Sequence, residues 1–274
     1  MSLSFIQPRP ELERYIRSLW IFDGPAGLPL SEKSIVAPNG SPKLIVSCEN
    51  PIISEADGAA QVHRDRDLYL VGIRDIPVLL HTEPRPTRFI GIEFYPNTAY
   101  PFLGVPMVEL TNSLIPLAEL LPEAGSAVSD TILSIANVEA KADFVQALLA
   151  RRIQESAPGS PIVDFCVAAI KEQAGLFSVS QLEERTGYTR RYLEMLFSRH
   201  VGISPKSLAR IVRFQSLYAR WSEAQCYEEL IDRLYDSYYD QAHFAKEFKR
   251  MTGFSPLQFT RVAASEFSRR MTLR

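Results

Sequence analysis

The chain has 274 residues, 46% hydrophobic and 23% charged, with a formal net charge of −2; that is the balance of a globular protein long enough for two domains, each with an adequate core. No apolar run approaches the roughly 18 residues of a membrane span, and the N-terminus lacks the basic and apolar regions of a secretory leader, so a cytoplasmic protein without a membrane partner is expected. Cys48, Cys166 and Cys226 are isolated and odd in number, which fits a reducing compartment and argues against a disulfide framework or a Cys-x-x-Cys metal site.

The charge is unevenly spread. From Pro158 onward there are 17 Lys+Arg against 13 Asp+Glu, a net of +4; the remainder has 13 against 19, a net of −6, and the two sum to −2. The basic part is the candidate for nucleic-acid contact.

In chain order, Glu11 to Trp20 (ELERYIRSLW) places Leu12, Tyr15, Ile16 and Leu19 on one stripe and predicts a helix packed on the core. Short apolar runs follow, at Lys43–Ser47, Leu68–Gly72, Val78–His81 and Arg88–Phe94, separated by Pro, Gly, Asn and Asp. Such spacing up to about Gly125 predicts a β-barrel or sandwich, with Pro38-Asn39-Gly40 as a turn and Tyr95-Pro96-Asn97 closing a strand. Trp20, Phe94 and Tyr95 belong either to its core or to a ligand pocket. From Ser126 to Ile153 the rhythm is helical. Ala157-Pro158-Gly159-Ser160-Pro161 then marks a domain boundary, giving domains 1–157 and 158–274.

Catalytic signatures are missing from the sequence. His63 and His81 have neither an HxH pair nor a carboxylate at ligand spacing, so no metal and no cofactor are expected, and there is no GxSxG, P-loop or GxGxxG element.

The C-terminal part reads as helix broken by brief turns. Ser178 to Gly202 (SVSQLEERTGYTRRYLEMLFSRHVG) gives a first helix after Ser178 with Val179 and Leu182 inward, a turn at Gly187, and a second helix capped by Thr189 with Tyr192, Leu193, Leu196 and Phe197 buried. About fifty residues later the pattern recurs: Leu230 to Leu234 lies on a first helix, Asp240 caps a second, and Phe244 and Phe248 form its inner face. Each unit ends alike, in Gly202-Ile203-Ser204-Pro205 and in Gly253-Phe254-Ser255-Pro256. Two helix-turn-helix units are therefore predicted, each with a second helix able to enter a major groove.

The segments YTRRYLEMLFSRHVGISPKSL and YYDQAHFAKEFKRMTGFSP resemble the DNA-binding domain of the AraC/XylS transcriptional regulators over about Pro161 to Arg261. Ala37–Val46 (APNGSPKLIV), Leu70–Ile73, Phe89–Pro96 and Pro101–Asn112 resemble the cupin-like sensor domain of a subgroup of that bacterial family. The resemblance implies an α+β chain: a cupin-like β-barrel with flanking helices, then an all-α domain whose two recognition helices are held by a connecting helix near Pro205 to Trp221. It further implies double-stranded promoter DNA, a small-molecule effector and RNA polymerase as partners, with homodimerisation through the helices near Asp143 to Ile153.

By family position, Arg191, Glu194 and Met195 face bases in the first recognition helix, with Thr189 and Arg190 placed for phosphate and Arg199 also outward. Glu194 alternatively pairs with Arg190 or Arg191 on a solvated face. In the second helix Ala242, His243 and Lys246 face bases, while Gln241, Lys249 and Arg250 anchor phosphates or hold the helix; His243 is equally a surface or capping group. Lys206 can grip a phosphate at the start of the connecting helix, with Arg213 a weaker candidate. Glu183, Arg233 and Ser237 stand where the family has Ala, Ala and Gly, which threatens helix packing and DNA binding. Two alternatives stay open: a metal-independent small-molecule enzyme fused to DNA-binding helices, or a ligand binder whose helix-turn-helix repeat has lost function.

Overall fold

The computed structural model describes residues 2–28, 34–56, 58–63, 67–120, 122–155, 159–223, 241–261 and 271–272. Strands β1 (Ser2–Ile6), β2 (Ile16–Gly24), β3 (Ile35–Val36), β4 (Lys43–Glu49), β5 (Ile52–Ala56), β6 (Ala59–His63), β7 (Asp67–Val71), β8 (Val78–Thr82), β9 (Thr87–Phe94) and β10 (Leu114–Pro116) pair antiparallel. They form two sheets, ordered β1-β2-β9-β4-β7-β10 and β3-β8-β5-β6.

The predicted barrel is thus an open one. A closed barrel pairs every strand on both sides, whereas β1, β10, β3 and β6 are each paired on one side only among the described residues.

Alternation along the strands divides the side chains between two cores. Leu19 and Ile21 of β2, Leu44 and Val46 of β4, Leu68 and Leu70 of β7, and Ile90 and Ile92 of β9 meet a layer of helices. These are α1 (Tyr100–Leu103), α2 (Leu117–Leu120), α3 (Pro122–Ser134) and α4 (Val138–Glu155), which contributes Ala142, Val145 and Leu149. Trp20, Phe22, Ile45, Tyr69 and Phe89 point the other way and pack with Val36, Ile52 and Val78 of the second sheet.

Burial on both faces corrects one expectation. Glu11 to Trp20 is not a helix: Pro10–Leu12 forms a single 3-10 turn and Ile16 begins β2. Because both faces of β2 are apolar, its sequence lacks a strand's alternation and its hydrophobic residues fall by chance at helical spacing. Position 91 must be glycine for the same crowded sheet, since a Cβ there would lie 2.0 Å from the ring of Trp20.

The C-terminal helices are α5 (Pro161–Glu172), α6 (Val179–Thr186), α7 (Arg190–His200), α8 (Pro205–Glu223), α9 (Gln241–Thr252) and α10 (Pro256–Arg261). Ser160 caps α5, its hydroxyl accepting from the Val163 N–H at 3.4 Å. Phe197, Leu208, Ile211, Phe214, Phe244 and Phe248 share one core, which Ala37 and Ile73 of the N-terminal domain join. The predicted helix at Leu230 to Leu234, with Arg233, Ser237 and the Asp240 cap, lies outside the described residues, as does Cys226. Burial pushes the thiols of Cys48 and Cys166 up to about 11, leaving both protonated at neutral pH.

Candidate nucleic-acid interface

The first unit is fixed by its caps. Ser178 and Gln181 form a reciprocal capping box at the start of α6, and Gly187 ends that helix with φ 72°. Thr189 then caps α7, accepting from the Tyr192 N–H at 3.4 Å. Glu183 adds a second acceptor: its carboxylate takes the Arg190 backbone N–H at 2.6 Å. The acidic substitution expected to disturb the helix crossing therefore caps the recognition helix instead, where the helix dipole favours negative charge.

One burial assignment changes. Leu193 and Phe197 are buried as expected, but Tyr192 is 37% exposed and stacks on Tyr188 with ring centroids 5.0 Å apart. Both rings sit at the solvent side of the turn.

The second unit repeats the terminal turn of the first. Gly202 and Gly253 have φ of 96° and 81°, and each is followed by a serine that caps the next helix. Ser204 accepts from the Ser207 N–H at 3.1 Å and Ser255 from the Gln258 N–H at 3.3 Å, with Pro205 and Pro256 at the first helical positions. The repeat is geometric as well as sequential.

A buried ion pair sets the second recognition helix on the connecting helix. Glu247 shares the inner face of α9 with Phe244, Phe248 and Met251. The Arg210 guanidinium donates to both its carboxylate oxygens, at 2.5 and 3.0 Å, with Arg213 at 3.8 Å. The Arg210 hydrogen bonds hold the Glu247 carboxyl below its ordinary value.

These contacts bring four predicted residues, Arg213 among them, into one concavity. Arg190 from the first unit, Lys206 from the start of α8 and His243 from the second unit line a cavity of about 520 Å³ together with Arg210, Arg213 and Glu247. Four cationic side chains thus face one carboxylate, a balance that attracts phosphate. Arg210 was missed from the sequence, although Lys206, Arg210 and Arg213 fall at i, i+4 and i+7 on one helical stripe.

The other predicted residues divide by exposure. Thr189, Arg191, Arg199, Ala242, Lys246 and Lys249 are exposed, and Met195 is 56% exposed on α7. Gln241 opens α9. Glu194 is half-buried and accepts from Arg190 Nε at 2.8 Å, the pairing foreseen as its alternative role.

Two of the set turn toward the N-terminal domain. Arg199 Nε donates to the Tyr100 hydroxyl at 2.8 Å, and Arg250 donates to Asp75 at 2.9 Å. The grip on the first unit is close: Thr111 Oγ1 donates to the Gly202 carbonyl at 2.7 Å, and a Cβ at Gly202 would meet the Met107 carbonyl at 2.7 Å. Gln215 of α8 donates to the Pro38 carbonyl at 2.5 Å.

The β domain holds an apolar cavity between its sheets, lined by Trp20, Leu28, Val36, Ile45 and Phe89, with Lys43 and Arg74 in the wall. Phe94 instead lines a cavity of about 290 Å³ beside α4. Tyr95 carries the Lys171 ammonium 4.7 Å over its ring. His63, hydrogen-bonded to Ser54 at 2.7 Å, and His81, 3.1 Å from Glu55, sit on β6 and β8. No helix among the described residues is long and apolar enough to cross a membrane.

Residues 182–261 match a helix-turn-helix domain family, and residues 4–116 match a domain family of unknown function (DUF6597). No curated protein matches the chain in sequence. Among solved structures, ToxT from Vibrio cholerae is 8% identical over 90% of this chain and 98% of its own, with a TM-score of 0.47. The AraC-like transcriptional activator CuxR is 15% identical over 81% and 86%, with a TM-score of 0.28. A cupin domain of an XRE family transcriptional regulator from Enterobacter cloacae is 16% identical over 35% of this chain and 96% of its own, with a TM-score of 0.27. Residues 182–261 are thus a helix-turn-helix domain whose terminal turns at Gly202 and Gly253 repeat one geometry, and it follows a β-rich N-terminal domain.

Proposed function

We propose that the protein is a cytoplasmic, sequence-specific regulator that binds promoter DNA through α7 and α9 and answers to a small molecule held in its N-terminal domain. The basic concavity that joins Arg190, Lys206 and His243 carries this reading, because only a shared face lets the modest positive excess of the C-terminal part act on one duplex. Residues 158–274 are the DNA-binding domain and residues 1–157 the sensing domain. Within the first, Arg191, Glu194, Met195, Ala242, His243 and Lys246 read bases, while Thr189, Arg190, Arg199, Lys206, Gln241, Lys249 and Arg250 position the chain on phosphate.

The protein acts by binding and performs no catalysis. Its sensing cavity lies between the two sheets, where Pro38 beside it touches α8 through Gln215. A ligand there shifts DNA binding only by its different affinity for two arrangements of that contact. Homodimerisation through α4 and contact with RNA polymerase complete the assembly. Selection from a random duplex library at two salt concentrations tests the reading. An enriched motif that persists at the higher salt supports it; binding without enrichment leaves phosphate attraction alone.

A further inference from the structure

The cavity between the sheets is walled on one side by the chain's own C-terminal end. Met271 is 3% exposed, packs in the same core as Trp20, Ile45 and Phe89, and lines that cavity. Two hydrogen bonds hold it there: Asn39 Nδ2 donates to the Met271 carbonyl at 3.0 Å, and the Ala37 N–H donates to Thr272 Oγ1 at 3.2 Å. Thr272 is 1% exposed. A segment 232 positions from Asn39 in sequence therefore closes the sensing domain, anchored on the Pro38-Asn39-Gly40 turn.

Size shows what the closure does. With Met271 in place the cavity is about 80 Å³, whereas pockets that hold small molecules run to roughly 300–1,000 Å³. No ligand of ordinary size fits beside the methionine. The wall is nonetheless suited to one: it is apolar apart from a few polar groups, and the Trp20 indole N–H is buried with no hydrogen-bond acceptor. Lys43, whose ammonium burial pushes down, stands in the same wall. A buried donor left unmatched costs free energy that an incoming acceptor recovers.

We propose that Met271 and Thr272 form a built-in plug, and that the molecule this cavity takes is largely apolar, carries an acceptor for the Trp20 indole N–H, and enters by displacing Met271. The proposal rests on the reading of the N-terminal domain as a ligand sensor and adds how that sensor is gated. Displacement also frees Asn39 and Ala37, which flank the Pro38 carbonyl held by Gln215 of α8. The plug and the connecting helix share one turn, so emptying one alters the anchor of the other.

The test uses the full chain with 8-anilinonaphthalene-1-sulfonate, an apolar probe with an acceptor group, in wild type, Met271→Ala and Met271→Leu. The Trp20 indole N–H resonance reports cavity occupancy, and the Met271 methyl resonance reports the plug. An intramolecular occupant lowers apparent affinity by the fraction of open chains, so Met271→Ala should bind the probe about tenfold more tightly while Met271→Leu stays near wild type. In wild type, saturation should move the Met271 methyl to the position of an exposed methionine as the Trp20 resonance shifts. If Trp20 shifts while Met271 stays fixed and Met271→Ala gains nothing, the plug is overturned and the ligand-sensor reading stands. If Trp20 shifts in none of the three chains, both fall.

Discussion

Arg250 on the second recognition helix donates to Asp75 of the N-terminal domain at 2.9 Å, and Asp75 in turn accepts from Asn112 Nδ2 at 2.8 Å. A side chain proposed to meet DNA phosphate is thus tied to the N-terminal domain. The pair is partly exposed, which limits its strength to about 0.2–1 kcal/mol. Asp75→Asn should release Arg250, tighten duplex binding up to about fivefold at low salt and steepen the salt dependence by about one phosphate contact. An unchanged salt slope would remove Arg250 from the phosphate set.

The Glu247 clamp makes a second prediction. Its carboxylate is nearly buried and charge-paired to Arg210, so Glu247→Gln should cost about 1–3 kcal/mol of stability and loosen α9. Because the pairing lowers the carboxyl pKa, its stabilisation is present above the ordinary carboxyl range near 4.3 and is lost as pH falls through the lower folded value. Thermal melts from pH 7 down to pH 3 should show this loss in wild type and a weaker one in Glu247→Gln.

Base reading by Lys246 is separable from charge. Lys246→Ala should cost roughly 1–3 kcal/mol with selectivity relaxed at one position of the site. A uniform loss across sequences would assign it to phosphate. Met195→Ala should weaken preference for a thymine, read by repeating the selection on the variant.

Glu183→Ala tests the second cap of the first recognition helix. Loss of the 2.6 Å bond to the Arg190 N–H should lower stability by about 1 kcal/mol. A variant as stable as wild type would show that Thr189 alone suffices.

His63 gives a pH signature in the N-terminal domain. Burial lowers its pKa from 6.5 to about 4, so it stays neutral in the fold where the unfolded chain is protonated. Stability is therefore full above about 6.5 and falls as pH drops toward about 4, by up to about 3 kcal/mol. Imidazole titration by NMR checks this directly, and a folded-state midpoint near 6.5 would contradict it.

Local chemistry was legible wherever a few adjacent residues suffice. The caps at Ser178 and Thr189, the turn at Gly187, the twin Gly-x-Ser-Pro ends and the aromatic pair Phe244 and Phe248 follow from hydrogen-bonding and spacing within one or two turns, and the structure has each of them. The β2 strand was not legible, because a strand buried on both faces carries no alternation and its pattern mimics a helix. Tyr192 was misplaced for a related reason: its helical position is compatible with burial, and only the neighbouring Tyr188 shows which side of the turn it takes.

Propensity, periodicity and capping act along the chain, and they are enough to specify the first helix-turn-helix unit, the terminal turn that the second unit shares with it and the β-rich N-terminal half. Packing between distant segments sets the rest: Arg210 holds Glu247, Arg250 reaches Asp75, and Met271 closes a cavity whose other walls come from residues 20 to 114. Such contacts join side chains far apart in sequence, and nothing in either local segment encodes its partner until the fold brings the two together.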